Sequence, residues 1–404
     1  MGRIQLVKSI IHGLLVYSFH VYMWPQRLLR LLDSWIKNFI WNSDIHTRKV
    51  CTVSWKVLCL SWSAGSLDVK PTRLINESFM LKLAWQLTHS NSQWAELYRG
   101  RYFTNGRPNM CHIKSSVWTS LKVHVGIAIS NSLWVVGTDA NINLTDNWSG
   151  ESLVDLFHIA PFLHDSFTVK VADVISDGDW NLPSDLLPHV NSLLDTIALL
   201  VSPLLDSLVW THSPDGGLTS KQALSFLRLA APLFAWADLI WSTCIPPSHS
   251  FIFWRLMHGK MSTDENLNVR GCVVVSTCSL CLKNYETSEH LFLSCPFAVS
   301  LWNWIGGKLN STINHSSVLS LLSCIPVSCS SHVSDIFVAA VMHTFHIIWI
   351  SCNSLRFSRD IVTVHDAQVH LHASVAMSGN ISTGNCLSSD DLILDSFYIL
   401  SHHR

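Results

Sequence analysis

Charged residues are scarce in this 404-residue chain. They make up 14% of it, against roughly 25% in an average soluble domain, while hydrophobic residues make up 48%. This balance excludes an intrinsically disordered chain, because disordered chains combine high charge with few apolar residues. The hydrophobic content instead supplies the buried cores of two or three domains.

The chain also lacks a long, purely apolar run. Two stretches, 9–26 and 336–355, contain no charged side chain, but polar residues such as His20 and His343 interrupt them. The first stretch has no small-residue cleavage pattern of a signal peptide. We therefore expect buried helices there, no membrane partner, and an intracellular protein of the nucleus or cytoplasm that is not secreted.

The few charges are unevenly distributed along the chain. Residues 1–101 contain thirteen Lys/Arg and five Asp/Glu, an excess of +8, which leaves −9 for the remainder of a chain with net charge −1. A basic segment of this kind suits contact with a phosphate backbone, although an ordinary solvated face can carry the same excess. RNA or DNA is therefore a candidate partner of residues 1–101.

Cysteine is the residue type that most informs on chemistry. Twelve cysteines and six N-x-S/T sequons would indicate disulfides and glycosylation in a secreted chain. Because no signal peptide is evident, we interpret clustered cysteines as metal ligands and isolated ones as small buried apolar residues.

One cluster has metal-ligand spacing. The segment CSLCLKNYETSEHLFLSC, residues 278–295, reads C-x2-C-x8-H-x4-C. Two thiolates separated by two residues reach one ion from a single turn, and zinc prefers four such ligands in a tetrahedron. The predicted ligands are Cys278, Cys281, His290 and Cys295. Pro296 favours the start of a helix, so the thiolate just before it would be stabilised by exposed N–H groups.

Four protein ligands leave no open position for water or substrate, so the zinc ion is predicted to be structural. Two alternatives stay open. The pattern can arise by chance among twelve cysteines, with His290 an ordinary core histidine, and Cys272 is close enough to replace one ligand. Charges around the motif nearly cancel, so zinc alone does not establish nucleic-acid binding.

Hydrophobic periodicity predicts a mainly α-helical chain with short β segments. Apolar residues at three- and four-residue steps predict two helices within 4–40, separated at Trp24-Pro25. The other expected elements are a strand at 50–57, a helix opening at Asn76, a helix entered at Thr219 or Ser220, and a capping box at Ser262 and Glu265.

The cysteine segment and its surroundings, FIFWRLMHGKMSTDENLNVRGCVVVSTCSLCLKNYETSEHLFLSCPFAVSLWNWIG, resemble a known domain. It is the zinc-binding domain found downstream of the reverse transcriptase in plant non-LTR (LINE-type) retrotransposons. The shared features are W-R-L-x-H-G-K, T-D-x-N-L-x-x-R-G, the two close cysteines, E-T-x-x-H-L-F-x-x-C and the Trp-rich helix that follows. The four predicted ligands match the ligand positions of that domain.

The resemblance extends over nearly the whole chain. GRIQLVKSIIHGLLVYSFHVYMWP and LAWQLTHSNSQWAELYRGRYF look like the thumb-side and connector region, and TFHIIWISCNSLRF is similar to the helix leading towards a ribonuclease H domain. It implies a helical thumb/connector region followed by a small helical zinc-stabilised domain. The implied domains are 1–100 (thumb/connector-like helical region), 101–205 (loop-rich connector), 206–310 (reverse transcriptase zinc-binding domain) and 311–404 (linker, helix and tail preceding an absent ribonuclease H domain).

One turn departs from the family pattern. Where relatives have a G-G-L-G-I-R-like turn, this chain reads AGSLDVKP, with Ser66 and Asp68 at expected glycine positions. If either position requires a positive φ, the replacement is strained, and aspartate is the better tolerated of the two.

The carboxylates that the parent enzymes use are missing. A polymerase palm needs paired aspartates for two magnesium ions, and Asp390-Asp391, the only such pair, is typical of a helix start. No G-x-S-x-G sequence and no P-loop occur. We therefore predict a non-catalytic fragment without a small-molecule substrate, binding structural zinc, RNA or DNA, and a reverse transcriptase in trans. The alternative is a zinc-stabilised protein-interaction scaffold, domesticated or inert, without a nucleic-acid role.

Overall fold

The computed structural model of the protein describes most of the chain. The described residues are 2–42, 53–104, 107–109, 115–137, 142–143, 146–147, 170–176, 179–180, 205–274, 276–324, 329–387 and 390–399. They divide into two compact units, each assembled from separate stretches. The first unit comprises 1–5, 39–69 and 231–404, and the second comprises 6–38 and 70–230. The four-part domain division implied by the resemblance stays a prediction.

Helices dominate the described residues, so the mainly helical prediction is confirmed. They are α1 (Gly2–Leu6), α2 (His12–Phe19), α3 (Gln26–Asn42), α4 (Trp55–Leu58), α5 (Thr72–His89), α6 (Gln93–Tyr102), α7 (Trp118–Ser130), α8 (Val171–Val174), α9 (Ser220–Leu227), α10 (Ala235–Ile240), α11 (Pro247–Met257), α12 (Asp264–Val269), α13 (Pro296–Lys308), α14 (Val318–Ser323), α15 (Ser331–Asn353), α16 (Val364–Ile381) and α17 (Asp391–Ser396). In the part of the chain that the structure describes, three segments are π-helical: Val7–Ile11, His290–Ser294 and Ser354–Ser358.

The strands among the described residues are short, as expected, and pair two by two. They are β1 (Phe103–Thr104), β2 (Arg107–Pro108), β3 (Ser132–Val135), β4 (Ile175–Ser176), β5 (Asp179–Trp180) and β6 (Ser207–Trp210). Strands β1–β2, β3–β6 and β4–β5 form three antiparallel ladders.

The second unit is organised around α5. Helices α7 and α9 pack along it, and the core between them includes the fully buried Leu81 and Leu121. The Tyr102 ring stacks on Trp118 with centroids 4.6 Å apart. Trp210, at the end of β6, completes this cluster. Large aromatic side chains bury much apolar surface, so this cluster stabilises the unit.

The break at Trp24-Pro25 is confirmed, but α5 begins at Thr72, directly after Pro71, and not at Asn76. The Asn76 side chain is buried inside the helix. Its amide accepts from the Trp24 N–H (2.7 Å) and donates to the Phe19 carbonyl (3.2 Å) and the Tyr22 carbonyl (3.1 Å). These hydrogen bonds stabilise the connection between α2 and α3. They also satisfy the side-chain amide, which needs partners because it is buried.

Two other local predictions are wrong. In the described part of the expected strand at 50–57, Trp55 starts a helix instead, and Ser54 Oγ accepts from the Val57 N–H at the helix entrance. The capping box at Ser262 and Glu265 is absent, since α12 has Thr263 as its N-cap without a side-chain bond. Ser262 and Glu265 serve other partners, the Arg255 guanidinium and the Ser288 N–H.

The helix expected to start at Thr219 or Ser220 is confirmed as α9, with Thr219 as its N-cap. Thr219 Oγ1 accepts from the Gln222 N–H at 3.2 Å, and the Gln222 side chain accepts from the Thr219 N–H at 2.7 Å. This reciprocal pair satisfies two N–H groups that a helix entrance otherwise leaves without partners.

The first unit is built around α15. Its Phe345 is fully buried and meets the rings of Phe253 (5.2 Å), Phe292 (5.5 Å) and Trp302 (5.3 Å), which come from α11, a π-helical segment and α13. Among the described residues, 331–358 form one helix that is long and apolar enough to cross a membrane, and 72% of its most apolar stretch is buried inside the fold. The core helix of a globular protein can be equally long and apolar.

The turn at 64–68 lies in the first unit and uses two left-handed residues. Gly65 has φ +66° and Asp68 has φ +51°, whereas Ser66 is not left-handed. Ser66 is buried, and its hydroxyl donates to the Val57 carbonyl. Of the two positions where a glycine is expected, only the aspartate therefore carries the backbone strain, which its short polar side chain tolerates.

Candidate metal centre

The cysteine segment is a loop closed by its own backbone bonds. The Cys278 N–H donates to the Asn284 carbonyl and the Leu282 N–H donates to the Cys278 carbonyl, both at 2.8 Å. Leu282 adopts φ +56°, which lets the chain reverse just after Cys281. The two thiols of the C-x2-C pair thereby sit on one tight turn, as this spacing predicts.

Helical ends position the other two side chains. The Thr287 hydroxyl accepts from the His290 N–H at 2.9 Å, at the start of a π-helical turn. Cys295 is the residue before α13, and Pro296 occupies the first helical position, as predicted. The polypeptide thus brings His290 and Cys295 back to the C-x2-C turn.

The four predicted ligands converge. Their ligand atoms all lie within 4.8 Å of one another. Cys278 Sγ and Cys295 Sγ are 3.9 Å apart, and Cys281 Sγ lies 3.3 Å from His290 Nε2. A tetrahedral zinc site requires sulfur–sulfur distances of about 3.8 Å and sulfur–nitrogen distances of about 3.5 Å, from its usual bond lengths. The residues therefore fit a zinc ion.

The pKa values of the two buried cysteines, Cys278 and Cys295, are shifted in opposite directions. A hydrogen bond from Cys278, together with the Phe297 and Ala298 N–H groups at the α13 entrance, holds the pKa of the Cys295 thiol below its usual value. The bond to Cys295, followed by burial, raises the pKa of Cys278. Cys295 is thus the sulfur already disposed to be a thiolate, because a helix N-terminus favours negative charge.

His290 is held as a neutral imidazole. Burial lowers the pKa of its ring, and only the neutral ring offers a lone pair to a metal. Its Nδ1 lies 3.3 Å from Ser294 Oγ, while Nε2 faces Cys281. A partner on one ring nitrogen orients the other towards the ion, a common arrangement for metal-binding histidines.

The alternative ligand is not brought to the cluster. Cys272 is exposed, and it is not part of the group of converging ligand atoms. Within the described part of the chain, no second group of three or more Cys, His, Asp and Glu side chains meets the same criterion.

Sequence reasoning missed the residues that support this loop. Asp264 and Glu286 are completely buried acids, and both contact the Arg356 guanidinium.

Sequence reasoning also missed the partner of the W-R-L-x-H motif. Trp254 Nε1 and His258 Nε2 lie 2.8 and 2.7 Å from the carbonyl oxygen of Gly65. All five side chains lie in sequence motifs that carry the family resemblance, and this was the available signal. The spacing within a motif, however, does not reveal partners that are distant along the chain.

The comparisons with known proteins agree with this site. Residues 218–302, which include all four converging side chains, match the family model described as zinc-binding in reverse transcriptase. The chain is 25% identical over 319 residues to a putative ribonuclease H protein of Arabidopsis thaliana, covering 74% of this chain and 51% of that protein. It is 26% identical over 111 residues to an uncharacterized mitochondrial protein of Arabidopsis thaliana, covering 26% of this chain and 72% of that protein.

The resemblance to plant proteins related to reverse transcriptases is therefore confirmed. The family model that residues 218–302 match describes a reverse transcriptase zinc-binding domain, not a polymerase palm. The chain spans about half the length, 51%, of the first of these relatives.

Proposed function

We propose that the chain is a non-catalytic part of a LINE-type retrotransposon reverse transcriptase, in which zinc maintains structure and basic N-terminal residues contact RNA or DNA. The observation that carries the proposal is the convergence of three sulfurs and one imidazole within 4.8 Å, on a segment that matches the zinc-binding family. We place the protein inside the cell, where thiols stay reduced and available to a metal.

Cys278, Cys281, His290 and Cys295 would hold the ion. Bound zinc supplies a four-way cross-link between the C-x2-C turn, the π-helical turn and the entrance of α13. Because the protein provides all four ligands, no position is left for a substrate or an activated water. Zinc binding of this type contributes on the order of 10–16 kcal/mol, enough to decide whether the loop folds.

Cobalt substitution tests whether the site is closed. The full-length chain, loaded with Co2+ in place of zinc, is expected to show the intense absorption of a tetrahedral thiolate site, unchanged when azide is added. A spectral shift on adding azide would reveal an open position, and the structural role would then be wrong. The Cys278→Ser variant serves as the control that lacks one sulfur.

The nucleic-acid part of the proposal is supported by exposed arginines of the second unit. Arg99 donates to the carbonyls of Leu87 and Ser90, each at 2.8 Å, so it stabilises its own unit. Arg27, Arg30 and Arg101 are exposed instead. Arg27 and Arg30 lie three residues apart on α3, which places them on one face of that helix.

Salt-dependent binding of single-stranded RNA tests this assignment. The triple variant Arg27→Gln, Arg30→Gln, Arg101→Gln is expected to bind more weakly at low salt, with the slope of log affinity against log salt reduced by about 2. The control, Lys260→Gln, Lys283→Gln, Arg359→Gln, removes three exposed charges from the first unit and should bind like the unaltered chain. A stronger loss in the control would place the contact on the zinc side.

A protein-interaction scaffold is the second candidate, favoured by one specific observation. Leu6, Ile10, Leu14 and Tyr17 recur along one helical face and are exposed, Tyr17 at 85%. Such a stripe suits a protein partner, including a reverse transcriptase supplied in trans. If the chain binds no RNA at low salt, the scaffold is the better account, and detection of primer extension by the purified chain would overturn both.

A further inference from the structure

Glu286 is the buried centre of the loop that joins Cys281 to His290. Its side chain is completely buried, yet it is an acid in a region of low dielectric. Burial raises the pKa of its carboxyl, and the nearby Arg356 opposes that rise. The Cys352 thiol donates to its second oxygen at 3.5 Å. The loop is therefore attached through this side chain to Cys352, near the end of α15, and to Arg356, just after it.

The backbone of Glu286 is hydrogen-bonded as well as its side chain. Its N–H donates to Ser276 Oγ at 3.1 Å, and its carbonyl accepts from the Glu265 N–H at 3.2 Å. Glu265 lies in α12, next to the second buried acid, Asp264. The loop between the two ligand pairs is thus tied to the beginning of α12.

Arg356 contacts both buried acids. Its Nη2 lies 2.7 Å from each carboxylate oxygen of Asp264, and its Nη1 lies 3.4 Å from Glu286 Oε1. Its own side chain is 22% exposed. Two fully buried carboxylates left without a cation would be strongly destabilising, so the guanidinium determines how α12 and the loop are held.

We infer that Arg356 is a positioning residue of the zinc centre, although it lies outside the segment that matches the zinc-binding family. This inference rests on the proposed function, because it requires that the four converging side chains bind zinc. The guanidinium fixes Glu286 and, through it, the loop between Cys281 and His290. With the loop fixed, the four ligands stay assembled and zinc leaves slowly.

Zinc release from the full-length chain into excess 4-(2-pyridylazo)resorcinol measures this role. Replacing residues that orient metal ligands typically costs 10–100-fold in metal affinity, so Arg356→Gln is expected to release zinc about tenfold faster. Arg356→Lys keeps the charge but not the planar donors, so its rate should be intermediate. If Arg356→Gln does not fold, Arg356→Lys carries the test.

Two controls separate positioning from charge and from stability. Arg359→Gln removes an exposed positive charge three residues away and should leave the rate unchanged. Leu371→Ala removes a buried side chain from α16 and lowers stability without touching the loop, so its rate should stay within about twofold. Equal acceleration in either control would overturn the inference.

The outcomes distinguish the two proposals. If the parent chain binds zinc and both Arg356 variants release it at the parent rate, Arg356 has no positioning role and the zinc proposal is unaffected. A parent chain that is folded and holds no zinc overturns the zinc proposal, and the positioning role with it.

Discussion

The indole Nε1 of Trp254 donates a 2.8 Å hydrogen bond to the carbonyl oxygen of Gly65. His258 reaches the same oxygen at 2.7 Å, and the Trp254 ring is fully buried. Two positions of the W-R-L-x-H-G-K motif therefore close on a turn that lies far earlier in the chain. The turn and α11 belong to the same compact unit. The bond stabilises their contact, because a buried indole N–H without a partner would be costly.

Gly65→Ala is expected to destabilise the first unit by roughly 2–4 kcal/mol. The residue has φ +66°, and an added Cβ would lie 2.6 Å from the Trp236 ring. The cost combines backbone strain of about 1–2 kcal/mol with the displacement of a packed ring. Urea unfolding followed by tryptophan fluorescence measures the change.

Gly259→Ala is the matched control for that substitution. Gly259 has a similar φ of +61°, but an added Cβ would meet nothing within 4 Å. Only the backbone cost of about 1–2 kcal/mol should then appear. Equal losses for the two variants would show that the contact with Trp236 contributes nothing.

Phe345→Ala is expected to cost about 3–5 kcal/mol, because this buried ring joins α15 to three aromatic residues around the zinc loop. Phe357→Ala makes the same chemical change at a side chain that is 75% exposed, and it should cost less than about 1 kcal/mol. Chemical denaturation of both variants checks the difference. Similar losses would mean that α15 is not the centre of this core.

Stability of the first unit is expected to fall with acid, through three clustered histidines. Burial lowers the pKa of His249 to about 4, of His343 to about 3 and of His346 to about 4, so all three are neutral in the folded chain. In the unfolded chain the same three histidines bind protons as the pH falls through their ordinary pKa of about 6.5. Their contribution to stability is therefore present above about pH 6.5 and is lost as the pH falls towards 4.

The double variant His249→Gln, His346→Gln should flatten this dependence. Each group contributes at most about 1.4 kcal/mol per pH unit, and less for these two partly exposed rings. His370→Gln, at an exposed position, should keep the parent slope. Urea unfolding at pH 7.5, 6.0 and 5.0 gives the slopes, and identical slopes in all three chains would contradict the role of the cluster.

Local rules predicted the parts of this fold that depend on neighbouring residues. The break at Trp24-Pro25, the helix entered at Thr219 or Ser220 and the helix entered after Cys295 all follow from adjacent residues. The spacing of the four cysteine and histidine residues also indicated which side chains would converge, because metal-ligand spacing is a local property of the chain.

Distant partners explain the failures. Asn76 looked like a helix start, but its amide binds backbone groups more than fifty residues away. Glu265 looked like a capping residue, but its carboxylate accepts from the Ser288 N–H. Arg356, Asp264 and Glu286 form a buried network whose members are separated along the chain, and periodicity carries no information about such pairs.

Removal of zinc from the full-length chain tests the central claim, that the metal maintains structure, most directly. Native mass spectrometry should find one zinc per chain, and Cys278→Ser with Cys295→Ser should bind none. Stripping the ion should lower the thermal midpoint of the first unit or abolish its transition, because a metal that binds only the folded site adds its binding free energy to the stability of the fold. A parent chain that is metal-free and melts at the same temperature with and without added zinc would contradict the account.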